Sequence, residues 1–162
     1  MSGRLVLRMR RSLEEPVPQP VWPQGIRLVP FVPEEHAQKV HALLVKAYAR
    51  GGGYVEPLGI WWPSLQDDSE YDPALCFIAT NESADVVGVA QCWTSAFIKD
   101  LAVDPACRGQ GLGSALLLEA FRVFKSRGES FVDLKVQADN PSGAVRLYQA
   151  HGFEEIERYR LA

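Results

Sequence analysis

The run Val103-Asp104-Pro105-Ala106-Cys107-Arg108-Gly109-Gln110-Gly111-Leu112-Gly113-Ser114 decides how this chain is read. An apolar strand, Phe97 to Val103, leads into it, and an apolar helix, Leu112 to Phe124, leads out. The first amides of a helix have no internal partners and point outward, and the helix dipole adds partial positive charge there. Glycines let a phosphate reach the backbone without meeting a Cβ. Arg108 adds charge and a forked donor. The stretch therefore predicts an anion-binding helix start. It is not a Walker loop, because no Gly-Lys-Ser/Thr follows. It is not a Rossmann fingerprint either, because Gly109, Gly111 and Gly113 alternate with single residues, late in the chain.

Downstream, Phe131 to Val136 reads as a strand, Ser142 to Ala150 as a helix and Phe153 to Arg160 as a last strand. Upstream, Leu75 to Thr80 and Val86 to Trp93 are strands joined by a turn over residues 81–85. Ile26 to Phe31 is a strand, and Pro33-Glu34-Glu35 opens a helix that Gly51-Gly52-Gly53 ends. Leu58, Trp61, Trp62 and Leu65 predict a shorter second helix. The order β-α-α-β-β-β-α-β-α-β places hairpins first and crossovers last, which implies a mixed α/β sheet with helices on both faces. Pro16, Pro18, Pro20 and Pro23 exclude helix and central strand. Residues 1–24 are therefore expected to be an extended N-terminal arm, and 25–162 a single domain. The strand-like run Arg4 to Arg10 is either unstructured or paired with a sheet edge, with a second subunit as one host.

Composition bounds the ligand. The 162 residues suit one ordinary domain, and a net charge of −3 supplies no global field for nucleic acid or anionic membrane. Any anion must be held locally. Cys76, Cys92 and Cys107 are scattered and show no zinc spacing, so no metal is expected and a reducing cytoplasm is the expected setting. No apolar run approaches the length of a membrane span, and the basic N-terminus runs into Glu14, Glu15 and prolines without the apolar core of a secretion signal.

Two separated stretches then identify a family. Val103-Asp104-Pro105 with Arg108, Gly111 and Gly113 resembles motif A of the GNAT N-acetyltransferases, Gln/Arg-x-x-Gly-x-Gly/Ala. Asn140-Pro141-Ser142-Gly143-Ala144-Val145-Arg146-Leu147-Tyr148, followed by Gly152-Phe153, resembles motif B. The clear similarity covers residues 86–156, and the earlier part fits by pattern alone. The resemblance implies the GNAT acyl-CoA fold, a mostly antiparallel sheet splayed at its central strands. It implies acetyl-CoA as cosubstrate and an amine-bearing acceptor. The expected reaction is direct attack on the acetyl group in a ternary complex. The rival reading is a GNAT-like module that binds acyl-CoA without turnover.

The resemblance also assigns residues. The backbone of Leu101, Ala102 and Val103 would pair with the pantetheine arm, while Arg108, Gly109, Gln110, Gly111, Leu112, Gly113 and Ser114 would surround the pyrophosphate. Asn140 would contact the cofactor, although it lies eight residues before Tyr148 where many members have seven. Tyr148 would be the general acid toward the departing thiolate and a cofactor contact. Asp100 is the candidate base, with ordered water as the alternative; Lys99 stands where some polyamine acetyltransferases carry a glutamate. Tyr54, Trp61, Trp62, Glu70, Tyr71 and Trp93 are acceptor-pocket candidates, each equally readable as core or surface. His151 reads as an exposed helix-end histidine. Sheet edges left to cover lead to the expectation of a homodimer.

Overall fold

The computed structural model describes residues 3–51, 53–140 and 143–161. Gly52 of the triple glycine and Pro141 and Ser142 of the second motif lie outside the described residues. The strands are β1 (Arg4–Ser12), β2 (Arg27–Val29), β3 (Cys76–Thr80), β4 (Val86–Trp93), β5 (Phe97–Val103), β6 (Phe131–Gln137) and β7 (Glu154–Leu161). The helices are α1 (Pro33–Ala47), α2 (Leu58–Asp67), α3 (Leu112–Ser126) and α4 (Ala144–Ala150). The strands form one sheet in the order β2-β3-β4-β5-β6-β1-β7. Every neighbouring pair is antiparallel except β5 with β6.

Two apolar layers cover the sheet. The larger lies against α3 and α4 and includes Met9, Leu116, Phe121, Leu134 and Tyr148. The smaller lies against α1 and α2 and includes Leu44, Trp61, Ile78 and Val89. α3 is apolar nearly all round because it is sunk in the larger layer, where Leu116, Leu117, Ala120 and Phe121 are fully buried.

The N-terminal run overturns the expectation of an unstructured or edge-paired segment. β1 lies inside this chain's own sheet, with β6 on one side and β7 on the other. Its strand alternation explains the position. Leu7 and Met9 face the larger core, while Arg8 and Arg10 on the opposite face hold Asp133 of β6. The proline-rich segment that follows lies along the protein, with Val17 and Trp22 packed on the same core.

β5 and β6 pair only at Phe97–Asp133 and Ile98–Leu134, then diverge. β5 stays joined to β4 as far as Val103, and β6 stays joined to β1 as far as Gln137. The sheet is therefore continuous at one end and split at the other. The crevice opens at the carboxyl ends of these two parallel strands, the end at which α/β sheets bind ligands.

Candidate active site at the split sheet

A cleft of about 880 Å3 fills the split. Leu101, Ala102 and Val103 form one wall, and Leu134, Lys135 and Val136 form the other. The loop after β5 and the first turn of α3 close one end; Tyr48, Tyr54, Asn140 and Tyr148 border the rest. The backbone edge of β5 turned toward β6 has no strand partner beyond Ile98, so it is open to an extended ligand.

The loop geometry follows from its residues. Asp104 accepts the amide of Ala106 at 2.9 Å and the ammonium of Lys46 at 2.8 Å, which fixes the turn and ties it to α1. Burial raises the Asp104 carboxyl, but the hydrogen bonds from Lys46 and Ala106 outweigh it and hold the group below its ordinary value. Gly109 and Gly111 have φ of +78° and +88°, and Gly111 is the residue that caps α3. L-residues rarely adopt that conformation. Among the described residues, nothing stands within 4 Å of a Cβ built at Gly109 or Gly111, and both line the cleft, so the backbone just before the helix is open to a ligand.

Of the residues assigned to the cosubstrate, Leu101 to Val103, Arg108, Gly109, Gly111, Leu112, Gly113, Ser114, Asn140 and Tyr148 line this cleft. Gln110 is exposed and outside the lining. Arg50, Lys99 and Lys135 join Arg108 as cationic lining groups. They come from three separate elements, so no motif announced them. The fit to an anionic, extended ligand rests on the free strand edge, the unobstructed helix start and these cations.

Tyr148 is buried, with its ring edge against Phe153 at 5.6 Å. Burial and the charge of Asp100 push its phenol up to about 12. Asp100 itself accepts Tyr48 Oη at 3.0 Å and Lys99 Nζ at 2.9 Å. Burial, then the charge and hydrogen bond of Asp100, raise the Tyr48 phenol as well. Tyr48 is the residue that caps the end of α1. Its polar role is set by a carboxylate 52 residues away.

A bulge explains how Asp100 reaches α1. Gln91 opposes Asp100 but Cys92 opposes Ile98, so Lys99 is one extra residue on β5. In a regular strand without the bulge, Ile98 and Asp100 would share a face. With it, Ile98 packs in the α3 layer while Asp100 bonds to α1. Beside Asp100, Gln91 is 1% exposed, and its Oε1 has no hydrogen-bond partner among the described residues. Its Nε2 donates to the Cys92 carbonyl at 3.2 Å.

The acceptor-pocket candidates separate. Tyr54 stands exposed on the cleft. Trp61, Trp62, Tyr71 and Trp93 instead belong to the apolar layer beneath α1 and α2, where Trp62 lies edge-on to Tyr71 and tilted against Trp61. Glu70 accepts the amide of Ser95 at 3.0 Å and so fixes the β4–β5 turn. Trp61 and Trp62 are neighbours on α2 and Trp93 ends β4, so helix and sheet together bring them into one layer. Among the described residues, no cluster of His, Cys, Asp and Glu is placed to hold a metal ion.

A mixed sheet split between the one parallel pair of its described strands, with a glycine-capped helix at the opening, is the architecture of an acyl-CoA-binding domain. The family profile described as "Acetyltransferase (GNAT) family" matches residues 34–153, and the chain belongs to that family. Mycothiol acetyltransferase of Thermobispora bispora is 34% identical over 93% of this chain and 54% of its own length. The enzyme of the same name from Saccharomonospora viridis is 29% identical over 96% of this chain and 55% of its own. The crystal structure of a GCN5-related N-acetyltransferase from Sphaerobacter thermophilus superposes with a TM-score of 0.86 at 30% identity, covering 99% of this chain and 51% of that one. A tandem GNAT protein from the clavulanic acid pathway shares the fold, with a TM-score of 0.70 at 18% identity over 98% of this chain and 52% of that one. The chain spans about half the length of the curated relatives it matches.

Proposed function

We propose that this domain transfers the acetyl group of acetyl-CoA to a primary amine, by direct attack with both substrates bound. The observation that carries the reading is the open edge of β5 running into the glycine-capped start of α3, with Tyr148 facing the same cleft. Acetyl-CoA supplies an activated thioester. The free backbone of Leu101 to Val103 holds its extended arm, and Arg108 with the amides and hydroxyl of residues 109–114 holds its pyrophosphate. Asn140 contacts the arm from the opposite wall.

Tyr148 is the acid. Its raised phenol keeps the proton throughout the neutral range and so stays available as a donor. At about 12 it is a weaker acid than an ordinary thiol near 8.5. Its help is therefore a hydrogen bond to the charge growing on sulfur, with the proton passing late. Asp100, already holding Tyr48 and Lys99, receives the amine's proton directly or through water. Lys99 lowers the availability of that carboxylate, and this observation is what favours the second reading, an acyl-CoA-binding module without turnover.

An amine panel with acetyl-CoA, scored by free-thiol release, tests the proposal. The relatives' name puts the deacetylated form of mycothiol first in the panel. Turnover with any amine supports the enzyme; coenzyme A binding without turnover across the panel supports the module. The reaction as written needs no metal. We further propose a cytoplasmic homodimer that uses the exposed outer strand β7. A monomeric mass at micromolar concentration would overturn the dimer.

A further inference from the structure

His151, expected at an exposed helix end, is half-buried and joins two helices. It closes α4, its amide donating to the carbonyls of Leu147 and Tyr148. Its carbonyl accepts Nε of Arg11 at 3.2 Å. Its ring Nε2 lies 2.8 Å from Oγ of Ser114, the third residue of α3, which lines the cleft. One imidazole thus links the helix start beside the glycine loop to the end of the helix that carries Tyr148.

A serine hydroxyl has one hydrogen and two lone pairs. If Nε2 is bare, the contact requires Ser114 to give that hydrogen to His151. Ser114 then shows the cleft only lone pairs, which repel a phosphate oxygen. If Nε2 carries a hydrogen, Ser114 accepts it, and its own hydrogen is free to point into the cleft. The state of one ring nitrogen decides whether Ser114 is a donor to an anion.

We propose that His151 is a positioning residue for the pyrophosphate of coenzyme A: binding takes up a proton on the imidazole and turns the Ser114 hydroxyl toward the phosphate. The inference rests on the reading of the α3 start as the pyrophosphate site. No covalent bond changes, and the proton comes from solvent. The groups facing the ring are Ser114 from α3 and Arg11 from β1, whose guanidinium also lies 4.8 Å over the Phe121 ring. Among the described residues, Arg11 is the charge that acts on His151; no carboxylate does. Burial, then the charge of Arg11, hold the imidazole below its ordinary value, which favours the neutral ring at neutral pH in the free protein. An arriving pyrophosphate opposes Arg11 and favours the imidazolium. The sign follows: affinity rises as pH falls toward the pKa of His151.

The probe is 3′-dephospho-coenzyme A, which lacks the phosphomonoester that would itself titrate. Calorimetry in buffers of differing ionisation heat is run from about pH 8 down to about pH 5.5, the range in which histidine changes charge. The expected result is net proton uptake and about tenfold tighter binding at the acid end, the factor that corresponds to one pKa unit. Pantetheine, which has no pyrophosphate, is expected to bind independently of pH. H151Q keeps an amide donor toward Ser114 without titrating, so it should bind dephospho-coenzyme A at constant affinity, no weaker than the native chain at the alkaline end. Ser114→Ala should lose most of the acid-side gain. Binding by the native chain that is flat with pH, as a tautomer change alone would give, overturns the inference while the site reading stands. A slope that survives in H151Q overturns it equally. Failure of the native chain to bind the probe at any pH overturns the site reading and this inference together.

Discussion

The seam between β5 and β6 has two ends that differ in every respect that matters. At the closed end, Phe97 and Ile98 pair with β6, and Asp133, 2% exposed, is clamped by Arg8 and Arg10. At the open end, from Asp100 to Val103, the backbone is unpaired toward β6 and the neighbouring groups line a cleft. Each end explains the other. A sheet that splits along one seam stays folded only if the rest of the seam is fastened, and β1 supplies the fastening. Under the proposed function, polar groups at the closed end carry stability and those at the open end carry function, so substitutions at the two ends should give opposite signatures.

The sharpest break is at the closed end. Asp133→Ala leaves Arg8 and Arg10, 31% and 39% exposed, without their carboxylate, and losing these charge-assisted hydrogen bonds is expected to cost about 2 kcal/mol. Chemical denaturation measures it. Affinity for coenzyme A in the folded fraction should change little. The same group sets an acid limit. Burial pushes the Asp133 carboxyl up, but hydrogen bonds from Arg10 and Arg8 prevail and hold it below its ordinary value. A carboxylate lowered in the folded state adds stability above its unfolded pKa, near 3.9, and that contribution is lost as pH falls through the lower folded value. In Asp133→Asn, this part of the acid destabilisation should disappear.

The mirror experiment is Tyr148→Phe at the open end. It keeps the ring against Phe153 and removes only the hydroxyl. The expected result is a fall in kcat of about 100-fold, the lower range for a positioned proton donor, with coenzyme A affinity and melting temperature nearly unchanged. Turnover at the native rate would remove Tyr148 from the chemistry.

A smaller effect is expected at Gly111. Nothing stands within 4 Å of a Cβ built there, so any loss in Gly111→Ala comes from its φ of +88° and not from collision. That strain is on the order of 1–2 kcal/mol. KM for acetyl-CoA should rise more than kcat falls, because the substitution disturbs the helix start and leaves Tyr148 in place.

How much of this is legible in the sequence follows the same division. The loop and α3 are readable because local rules govern them: glycines at positive φ, proline in the turn, apolar residues on a helix. The place of β1 is not, since its partners lie 119 or more residues downstream, and strand alternation states a face without naming a neighbour. Asp100 illustrates a third case. Period-two counting puts it on the face of Ile98, and only the extra residue at Lys99 turns it toward Tyr48. Tyr54, Trp61, Trp62 and Tyr71 look like pocket walls because composition distinguishes neither wall from core; of these four, Tyr54 lines the cleft.

The smallest predicted effect concerns the residue at the border of both regions. Gln91 opposes Asp100, yet its buried Oε1 has no partner among the described residues. Flipping the amide would set its oxygen against the Cys92 carbonyl, so the observed orientation is the favourable one. An unpaired buried acceptor is destabilising, and so is the loss of a hydrogen bond, each by about 1 kcal/mol or somewhat more. Gln91→Met removes both groups in a similar volume, so the two contributions oppose each other and the net change in stability should stay within about 1 kcal/mol. If denaturation instead shows a loss as large as that of Asp133→Ala, Gln91 belongs with the fastening of the sheet. If stability holds while KM for the amine rises, the orphan oxygen serves the acceptor side of the open end, directly or through a bound water.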